Sequence, residues 1–357
     1  MATIRDIAKA AGVSAGAVSR ILNQDATLNV SSQTRERVLS IAAELNYVNR
    51  RKQKTSVTET QPTETRTFGI LQWYSLRQEL EDPYYLSIRL GAEKYCAAHG
   101  ISVIRAFKGD TDYLLALQGV DGLICIGKFA NSEIEQFKKI SSHYILVDMC
   151  AEQISHNAIT LDFAHATTAA LDYLTSLGHT HIGYLGGKEY MEDGSLYQDT
   201  RQIVFEDYCL KHDITYQPYL SIDAYTIEAG YDMMSKLIAG KKLPTAVFTA
   251  SDSIALGAMR ALSEHGYHIP ADISIIGFDN INASAYSTPP LTTIGAPAEL
   301  MGEYAANFLS SSRSVYEEYH IPVQMMLPCT LIERDSCAPR FSGSSPKAKE
   351  PLPGFLL

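Results

Sequence analysis

The 357-residue chain lacks the features that mark membrane and secreted proteins. No stretch comes near the roughly 18 consecutive apolar residues that a membrane helix needs, so we expect no membrane partner. The first residues hold no basic start followed by an apolar run, so we expect no secretion signal and a cytoplasmic location. The six cysteines lie far apart and form no Cys-x-x-Cys pair, which argues against a zinc site and a disulfide framework. We therefore expect no metal and no cofactor.

Charge is distributed unevenly along the chain. The whole sequence has a net charge of −10, yet residues 1–54 carry nine Lys and Arg against four Asp and Glu. This first segment is positive by five charges, so the remainder is negative by fifteen. A small basic segment on an acidic body indicates a polyanion partner for that segment alone, although charge by itself would also fit a chance cluster on a solvated surface.

Residues 1–49 show helical patterns only and are predicted to form a small three-helix domain. Thr3, with an acidic residue three positions later, has the spacing of a capping box for a first helix that ends at Gly12. Ser14 can cap a second helix, and Ser31 can cap a third helix whose apolar residues recur at helical spacing. The tight turn between the first two helices is typical of a helix-turn-helix motif, in which the second helix enters the major groove of DNA.

The second predicted helix carries the residues expected to read DNA bases. Arg20 can donate two hydrogen bonds to guanine, a contact worth about 1–3 kcal/mol of discrimination between bases. Small residues near the start of that helix can touch a thymine methyl group or admit the backbone closely. Polar residues at helix ends suit phosphate contacts, which position a protein without reading sequence. The predicted DNA-binding residues are Thr3, Ser14, Ala15, Gly16, Ser19, Arg20, Asn23, Ser31, Thr34, Tyr47, Arg50 and Arg51.

A linker, a long body and a tail are predicted after this domain. Residues 50–67 are rich in threonine and keep no apolar period, which is typical of a hinge or linker. From 68 to 336, apolar strand-like runs alternate with helical patterns, which predicts parallel sheets with helices on both faces. Residues 337–357 are rich in Pro, Ser and Gly and are predicted to be disordered. The runs predicted as strands are 68–71, 101–106, 119–127, 144–149, 181–186, 246–250 and 273–278.

The alternating series is too long for one sheet of ordinary size. We therefore predict an α/β body of two doubly wound parallel-sheet subdomains with a cleft between them. In such open sheets, ligands bind beyond the carboxyl ends of the strands. The functional residues of the body are expected at those ends.

Four strings in the first 49 residues together carry a family resemblance. They are TIRDIA at 3–8, AGVS at 11–14, VSRILN at 18–23 and ELNY at 44–47. They resemble the head of the LacI/GalR family of bacterial transcription regulators, and the resemblance continues to about Ser336. It implies a homodimer whose two heads bind the halves of a near-palindromic operator in double-stranded DNA. It also implies a periplasmic-binding-protein-like body that releases the DNA when a sugar closes its cleft.

Two departures from the family pattern affect this interpretation. The family's hinge helix carries a leucine that wedges into the minor groove, but 48–57 contains no leucine and offers only Val57 as an apolar candidate. Whether this chain forms the hinge helix and bends its operator therefore stays open. Tetrameric members also carry a leucine heptad at the C-terminus, which is absent here, so a dimer is expected.

The residues that match the family's effector cleft suit a polyol. Aromatic rings can stack on the C–H faces of a sugar, and carboxylates can accept hydrogen bonds from its hydroxyls. Arg201 matches the family's effector-clamping arginine, and residues 79–85 are closest to galactoside-responsive members, which favours galactose or a galactoside. The predicted effector-binding residues are Asp82, Tyr84, Tyr85, Asp148, Arg201, Ser251 and Asp279.

Structural alternatives apply to several of these residues. An acid at a strand end, such as Asp252, often caps the next helix. Tyr84 and Tyr85 could belong to the core, and Arg201 could pair with a structural acid. Trp73 is close enough in sequence to reach the cleft, but a lone Trp after a strand more often packs.

Three other function classes compete with a sugar-released repressor. The chain has no Gly-x-Ser-x-Gly elbow and no complete phosphate-binding loop at 186–188, so no catalytic residues and no enzyme are predicted. His179 and His181 have no third ligand nearby in sequence, which favours surface histidines over a metal site. A periplasmic solute-binding protein would lack the basic head. An activator, or a regulator that uses its ligand as a corepressor, stays open, since the direction depends on which conformation the ligand prefers.

Overall fold

The computed structural model describes residues 3–22, 30–44, 66–149, 156–241, 243–311 and 321–340. Contacts divide the chain into two units, Met1–Glu64 and Thr65–Leu357, which we call the head and the body. None of the helices in the described part of the chain is long and apolar enough to cross a bilayer. The predictions that lie outside the described residues are those for Asn23, Tyr47, Arg50, Arg51, linker residues 50–65 and tail residues 341–357.

Three helices form the described head, as the sequence predicted. Thr3 caps the first helix, because its Oγ1 accepts a hydrogen bond from the Asp6 backbone N–H at 3.3 Å while its own N–H donates to the Asp6 carboxylate at 2.8 Å. Gly12 ends that helix with a φ of 65°, a backbone conformation that favours glycine. Ser14 Oγ accepts a hydrogen bond from the Ala17 N–H at 3.1 Å and so caps the second helix. The helices are α1 (Ile4–Ala11), α2 (Ala15–Leu22) and α3 (Ser32–Glu44).

The head is held together by a small apolar core. Its buried residues come from all three helices, so each helix buries one face and leaves the other in water. The core residues are Ile7, Ala8, Ala11, Val18, Ile21, Val38 and Ala42.

The first lobe of the body is built on a six-stranded parallel sheet. Its strands are β1 (Thr67–Gln72), β2 (Ser102–Phe107), β3 (Gly122–Ile126), β4 (Tyr144–Val147), β5 (Ala158–Leu161) and β11 (Gln324–Leu327), and its helices are α4 (Leu76–Glu81), α5 (Tyr84–Ala98), α6 (Tyr113–Ala116), α7 (Asn131–Ile140) and α12 (Ala298–Ser311). The strand order is β11-β5-β4-β3-β1-β2. Helices α5 and α12 pack closely because Gly91 and Gly302 leave room, since a Cβ on Gly302 would lie 1.8 Å from the Ile88 carbonyl oxygen.

The second lobe repeats this plan with one antiparallel edge strand. Its strands are β6 (Ile182–Gly187), β7 (Leu220–Asp223), β8 (Ala246–Thr249), β9 (Ser274–Asp279), β10 (Thr292–Gly295) and β12 (Thr330–Ile332), and its helices are α8 (Phe163–Ser176), α9 (Thr200–Lys211), α10 (Ile227–Ala239) and α11 (Asp252–Glu264). Two short 3₁₀ helices span Gln217–Tyr219 and Asn282–Tyr286. The strand order is β12-β10-β9-β8-β6-β7, and only β12 runs antiparallel among the described strands of this sheet.

The chain passes between the lobes three times within the described body. It leaves the first lobe after β5, returns between β10 and α12, and leaves again between β11 and β12. Both lobes therefore present the carboxyl ends of their parallel strands to a shared cleft. The predicted fold class, an all-α head and an α/β body of two parallel-sheet subdomains, is confirmed.

Three sequence predictions need correction. The strand predictions missed β5, β7, β10, β11 and β12, which have only three or four residues each and in three cases lie at a sheet edge. The tail is not disordered at its start, because Ala338 N–H donates to Ser274 Oγ at 3.1 Å and Arg340 N–H donates to the Leu177 carbonyl at 2.7 Å. His179 is buried rather than on the surface, and its imidazole lies between Thr245 Oγ1 and the Ala338 carbonyl oxygen.

Candidate functional site

A cavity lies in the cleft between the two lobes of the body. Its lining residues surround about 440 Å³ of space, part of which is open to solvent. The two lobes meet across it, since the Tyr74 hydroxyl donates to Glu189 Oε1 at 3.3 Å. The structure brings all seven predicted effector-binding residues to this cavity, namely Asp82, Tyr84, Tyr85, Asp148, Arg201, Ser251 and Asp279.

Arg201, in the first turn of α9, is held from every side. Its Nε donates to Asp199 Oδ1 at 3.0 Å and its Nη2 lies 2.9 Å from Asp199 Oδ2. Its Nη1 donates to the Ala250 carbonyl at 2.5 Å, and its Nη2 also donates to the Tyr225 hydroxyl at 2.8 Å. Burial alone would raise the pKa of Asp199, but the guanidinium outweighs burial and the pKa is lowered. Arg201 thus lines the cavity, as the family resemblance implied. It also pairs with an acid of the chain, which was the structural alternative.

Three aromatic rings surround the Arg201 guanidinium. Its Cζ lies 5.1 Å from the centre of the Phe163 ring, 5.2 Å from that of Phe278 and 5.3 Å from that of Tyr225. These distances allow cation–π attraction, which strengthens away from water. The rings and the ion pair together restrict where the guanidinium can lie.

Lys128 and Asp148 form a second buried ion pair on the first-lobe side of the cavity. Lys128 Nζ lies 2.6 Å from Asp148 Oδ2 and also contacts the Asp148 carbonyl oxygen. The Tyr84 hydroxyl donates to Asp148 Oδ1 at 3.0 Å. Burial alone would lower the pKa of Lys128, but Asp148 outweighs burial and the pKa is raised, so the ammonium group is held in its charged form. Lys128 Nζ also lies 4.6 Å from the centre of the Tyr197 ring.

Three further acids line the cavity, and none of them forms an ion pair with a residue in the described part of the chain. Burial raises the pKa of Asp82 to about 6 and that of Glu189 to about 7. Burial also raises the pKa of Asp279 well above its ordinary range, and the nearby Asp82 charge adds to this effect. Asp279 is only 9% exposed, and its carboxylate accepts no hydrogen bond from any residue in the described ranges. These carboxylates are acceptors that face the cavity.

Aromatic residues form the first-lobe wall of the cavity. Tyr84 and Tyr85 are both buried, and both line the cavity while packing into the core. The Tyr74 ring meets the Tyr85 ring edge-on with centroids 4.6 Å apart. Trp73 stacks on Tyr74 at 5.3 Å from outside the lining, which fits the packing role that its sequence position favoured.

Ser251, rather than Asp252, caps the helix that follows β8. Ser251 Oγ accepts a hydrogen bond from the Ile254 N–H at 3.2 Å and caps α11. Asp252 does not cap this helix. Its carboxylate instead accepts from Thr293 Oγ1 at 2.6 Å and from the Ile281 N–H at 2.9 Å, so it fixes the turn that follows Asp279.

Sequence reasoning missed several residues that the cavity contains. Three of the eight, Glu189, Tyr197 and Asp199, lie in the segment between β6 and α9, which starts at the carboxyl end of a strand, and that position was the available signal. Asp199 carried a further signal because it lies two residues before Arg201. The missed lining residues are Tyr74, Lys128, Phe163, Glu189, Tyr197, Asp199, Thr200 and Tyr225.

The second helix of the head presents a polar face to solvent. Val18 and Ile21 are buried in the core of the head, so the side of α2 that carries Arg20 faces away from that core. Of the predicted DNA-binding residues, the exposed ones are Thr3, Ser14, Ala15, Gly16, Arg20 and Ser31, and the partly buried ones are Ser19 and Thr34. Within the described ranges, no group of three or more His, Cys, Asp or Glu side chains is arranged to hold a metal ion.

Two family models match the chain. The model described as bacterial regulatory proteins, lacI family, matches residues 3–49, and the periplasmic binding protein-like domain matches residues 171–337. The HTH-type transcriptional regulator GalR of Streptococcus thermophilus is 36% identical over 338 residues, which cover 94% of this chain and 99% of that protein. The HTH-type transcriptional repressor MelR of Bacillus subtilis is 34% identical over 347 residues, which cover 94% of this chain and 98% of that protein.

Solved structures give the same picture. The lac repressor dimer bound to operator and the anti-inducer ONPF has a TM-score of 0.66 at 25% identity, with 94% of this chain and 99% of that chain covered. A LacI family transcriptional regulator from Enterococcus faecium with bound ribose has a TM-score of 0.65 at 27% identity, with 77% of this chain and 100% of that chain covered.

Proposed function

Because the chain belongs to the LacI family of bacterial regulatory proteins, we propose that it is a dimeric repressor that leaves its operator when a sugar binds in the body. The observation that carries this proposal is the cavity between the lobes. Two clamped cations, three acids without a cation and a wall of tyrosines meet there, and these are the groups that orient a polyol. Nothing in the proposal requires catalysis.

The head supplies the operator contacts. Two heads of a homodimer bind the two halves of a near-palindromic operator, because a two-fold protein matches a two-fold site. Arg20 reads a guanine from the exposed side of α2, where Ala15 and Gly16 allow the helix to approach the bases. Thr3, Ser14, Ser31 and Thr34 lie at helix starts, where backbone N–H groups also favour phosphate contacts.

The body supplies the sugar response. Residues of both lobes line the cavity, so a sugar between them changes how the lobes stand to each other. Side chains of the two lobes contact each other across the cavity, as Tyr74 does with Glu189 and Lys128 with Tyr197, so the cleft must open for a sugar to enter. A ligand shifts such an equilibrium only through its different affinities for the two states. We infer that the sugar-bound arrangement holds the heads in a spacing that fits the operator poorly.

Galactose or a galactoside is the sugar that we propose. The family likeness of residues 79–85 supports it, as does the name GalR of two of the relatives. We propose a cytoplasmic location, because the operator DNA lies there.

A thermal-shift panel of mono- and disaccharides tests this function on the full chain. A ligand at 100 times its dissociation constant adds about 2.7 kcal/mol of stability, which raises the melting temperature of the body by several degrees. We expect galactose or a galactoside to give the largest shift, and Arg201→Ala to remove that shift. If no saccharide moved the melting temperature, the proposed sugar response would be wrong. If a sugar tightened operator binding instead, the chain would use it as a corepressor.

A further inference from the structure

We propose that the cavity accepts uncharged saccharides and rejects phosphorylated or carboxylated ones, because its cations are already paired while three of its acids are not. This inference rests on the proposed function and adds the chemical class of the sugar. Its evidence is the way in which each charged group around the cavity is bonded.

Both cations of the cavity are committed to carboxylates of the chain. Arg201 uses its Nε and Nη2 on Asp199 and its Nη1 on the Ala250 carbonyl, and its Cζ lies 5.1 Å and 5.3 Å from the centres of the Phe163 and Tyr225 rings. The ammonium group of Lys128 forms an ion pair with Asp148, and the side chains of both residues are at least 96% buried. A phosphate that entered would have to take a cation from one of these acids. The displaced carboxylate would then be buried without a partner, which costs several kcal/mol.

Side chains of the body also cap the helix N-termini around the cavity. Such ends offer N–H groups that bind anions, and four of them border the cavity at residues 84, 163, 200 and 252. At the first, the Asp82 carboxylate lies 3.5 Å from the Tyr84 N–H. At the other three, an Asp or Ser of the chain accepts one of the first-turn backbone hydrogen bonds, so a ligand phosphate finds fewer donors there. Those bonds run from His165 N–H to Asp162, from Arg201 N–H to Asp199 and from Ile254 N–H to Ser251.

The uncommitted groups of the cavity are acceptors of negative or partly negative charge. Asp279 is only 9% exposed, and its carboxylate accepts no hydrogen bond from the described residues. The Glu189 carboxylate accepts only the Tyr74 hydroxyl, at 3.3 Å, among the described contacts. Sugar hydroxyls can donate to these oxygens. An anionic ligand would instead place a further negative charge beside acids that burial already makes hard to ionise, and the repulsion is strongest above pH 7, where Glu189 is ionised.

Matched sets of sugars test the inference on the full chain. Isothermal titration calorimetry at pH 8, where Asp82 and Glu189 are ionised, and at constant ionic strength would compare galactose with galactose 6-phosphate and galacturonic acid, and glucose with its own two anionic derivatives. We expect the anionic member to bind at least 30-fold more weakly than its neutral parent in every set that binds.

The outcomes separate this inference from the proposed function. Anionic sugars that bind as tightly as their neutral parents, or more tightly, would overturn the charge selection while leaving a sugar-responsive regulator. Failure of every saccharide, neutral or anionic, would overturn the proposed function and this inference with it.

A single substitution measures how the acids contribute. Glu189→Gln keeps the shape of the side chain and removes its charge, so we expect it to narrow the gap between neutral and anionic sugars by about 3–10-fold. Glu192→Gln is the matched control, because Glu192 lies in the same segment, is 57% exposed and does not line the cavity. An unchanged gap in Glu189→Gln, or an equal change in both variants, would contradict the role given to the buried acids.

Discussion

The head and the body of this chain build their functional surfaces in opposite ways. The hydrogen bonds that shape the DNA-facing part of the head are local, such as Thr3 with Asp6 and Ser14 with Ala17. The cavity of the body depends on long-range contacts, such as Tyr84 with Asp148 and Arg201 with Ala250. The head exposes its polar residues to water, whereas the body buries them in a closed cleft.

This difference explains how each region can act. An exposed basic surface binds DNA mainly through charge, which water and salt screen strongly. A buried network of charges discriminates through geometry and desolvation, because each group must keep a partner. The head therefore contributes affinity for a polyanion, and the body contributes selectivity for a small ligand.

Salt gives the largest expected contrast between the two regions. A dimer that neutralises about 6–10 phosphates loses about 10³–10⁵ in operator affinity between 50 and 200 mM salt. Binding of an uncharged sugar to the body should change by less than about threefold over the same range. Filter binding and calorimetry at matched salt concentrations would measure both. An operator affinity that did not respond to salt would contradict the two-head model.

Arg201→Ala should separate the regions by mutation. Removing the guanidinium deletes a fixed donor group and leaves Asp199 buried without its cation, so we expect sugar affinity to fall at least 100-fold. Operator affinity without sugar should stay within about threefold of the parent. Arg260→Ala is the control, since Arg260 is exposed and pairs with Glu264 on the surface of α11. Sugar affinity that survives in Arg201→Ala would remove this residue from the site.

The same contrast decides what the sequence could predict. The head was predictable nearly residue by residue, because caps and helical spacing act within a few residues, as at Thr3 and Ser14. In the body, the alternation of strands and helices predicted the lobes, and strand ends predicted Asp148 and Asp279.

Other parts of the cavity could not be derived from local pattern. Glu189 and Tyr197 lie in an irregular segment, and only the closure of the lobes brings them against Tyr74 and Lys128. Short edge strands such as β12 bury little surface and so leave a weak alternation in the sequence. The spacing of residues along the chain does not predict such contacts between distant segments.

Arg20→Ala tests the readout by the head. Loss of a bidentate contact with guanine should weaken operator binding by about 1–3 kcal/mol, or about 5–150-fold, while sugar affinity is retained. Arg37→Ala is the matched control, because Arg37 is an exposed arginine of α3 that is not predicted to read bases. Electrophoretic mobility shifts with operator and with random DNA would separate base reading from general charge. Equal losses in the two variants would remove Arg20 from base recognition.

The smallest expected effect concerns pH and the body alone. The pKa of Glu189 is raised from an ordinary value of 4.5 to about 7, so the folded state keeps a proton that the unfolded state releases. Stability from this group therefore falls as pH rises from about 5 to 8. Glu189→Gln should melt close to the parent at pH 5 and a few degrees above it at pH 8, by differential scanning calorimetry. A difference in melting temperature that stays constant with pH would contradict the raised pKa.

We expect sugar binding in the cleft of the body to control the affinity of the head for its operator. Fluorescence anisotropy of a labelled operator, titrated with the full-length dimer with and without saturating sugar, measures this coupling directly. We predict at least a tenfold weakening by sugar, about 1.4 kcal/mol of coupling, and the same factor when sugar affinity is measured with and without operator. An operator affinity that saturating, calorimetrically confirmed sugar leaves unchanged or makes tighter would contradict the account.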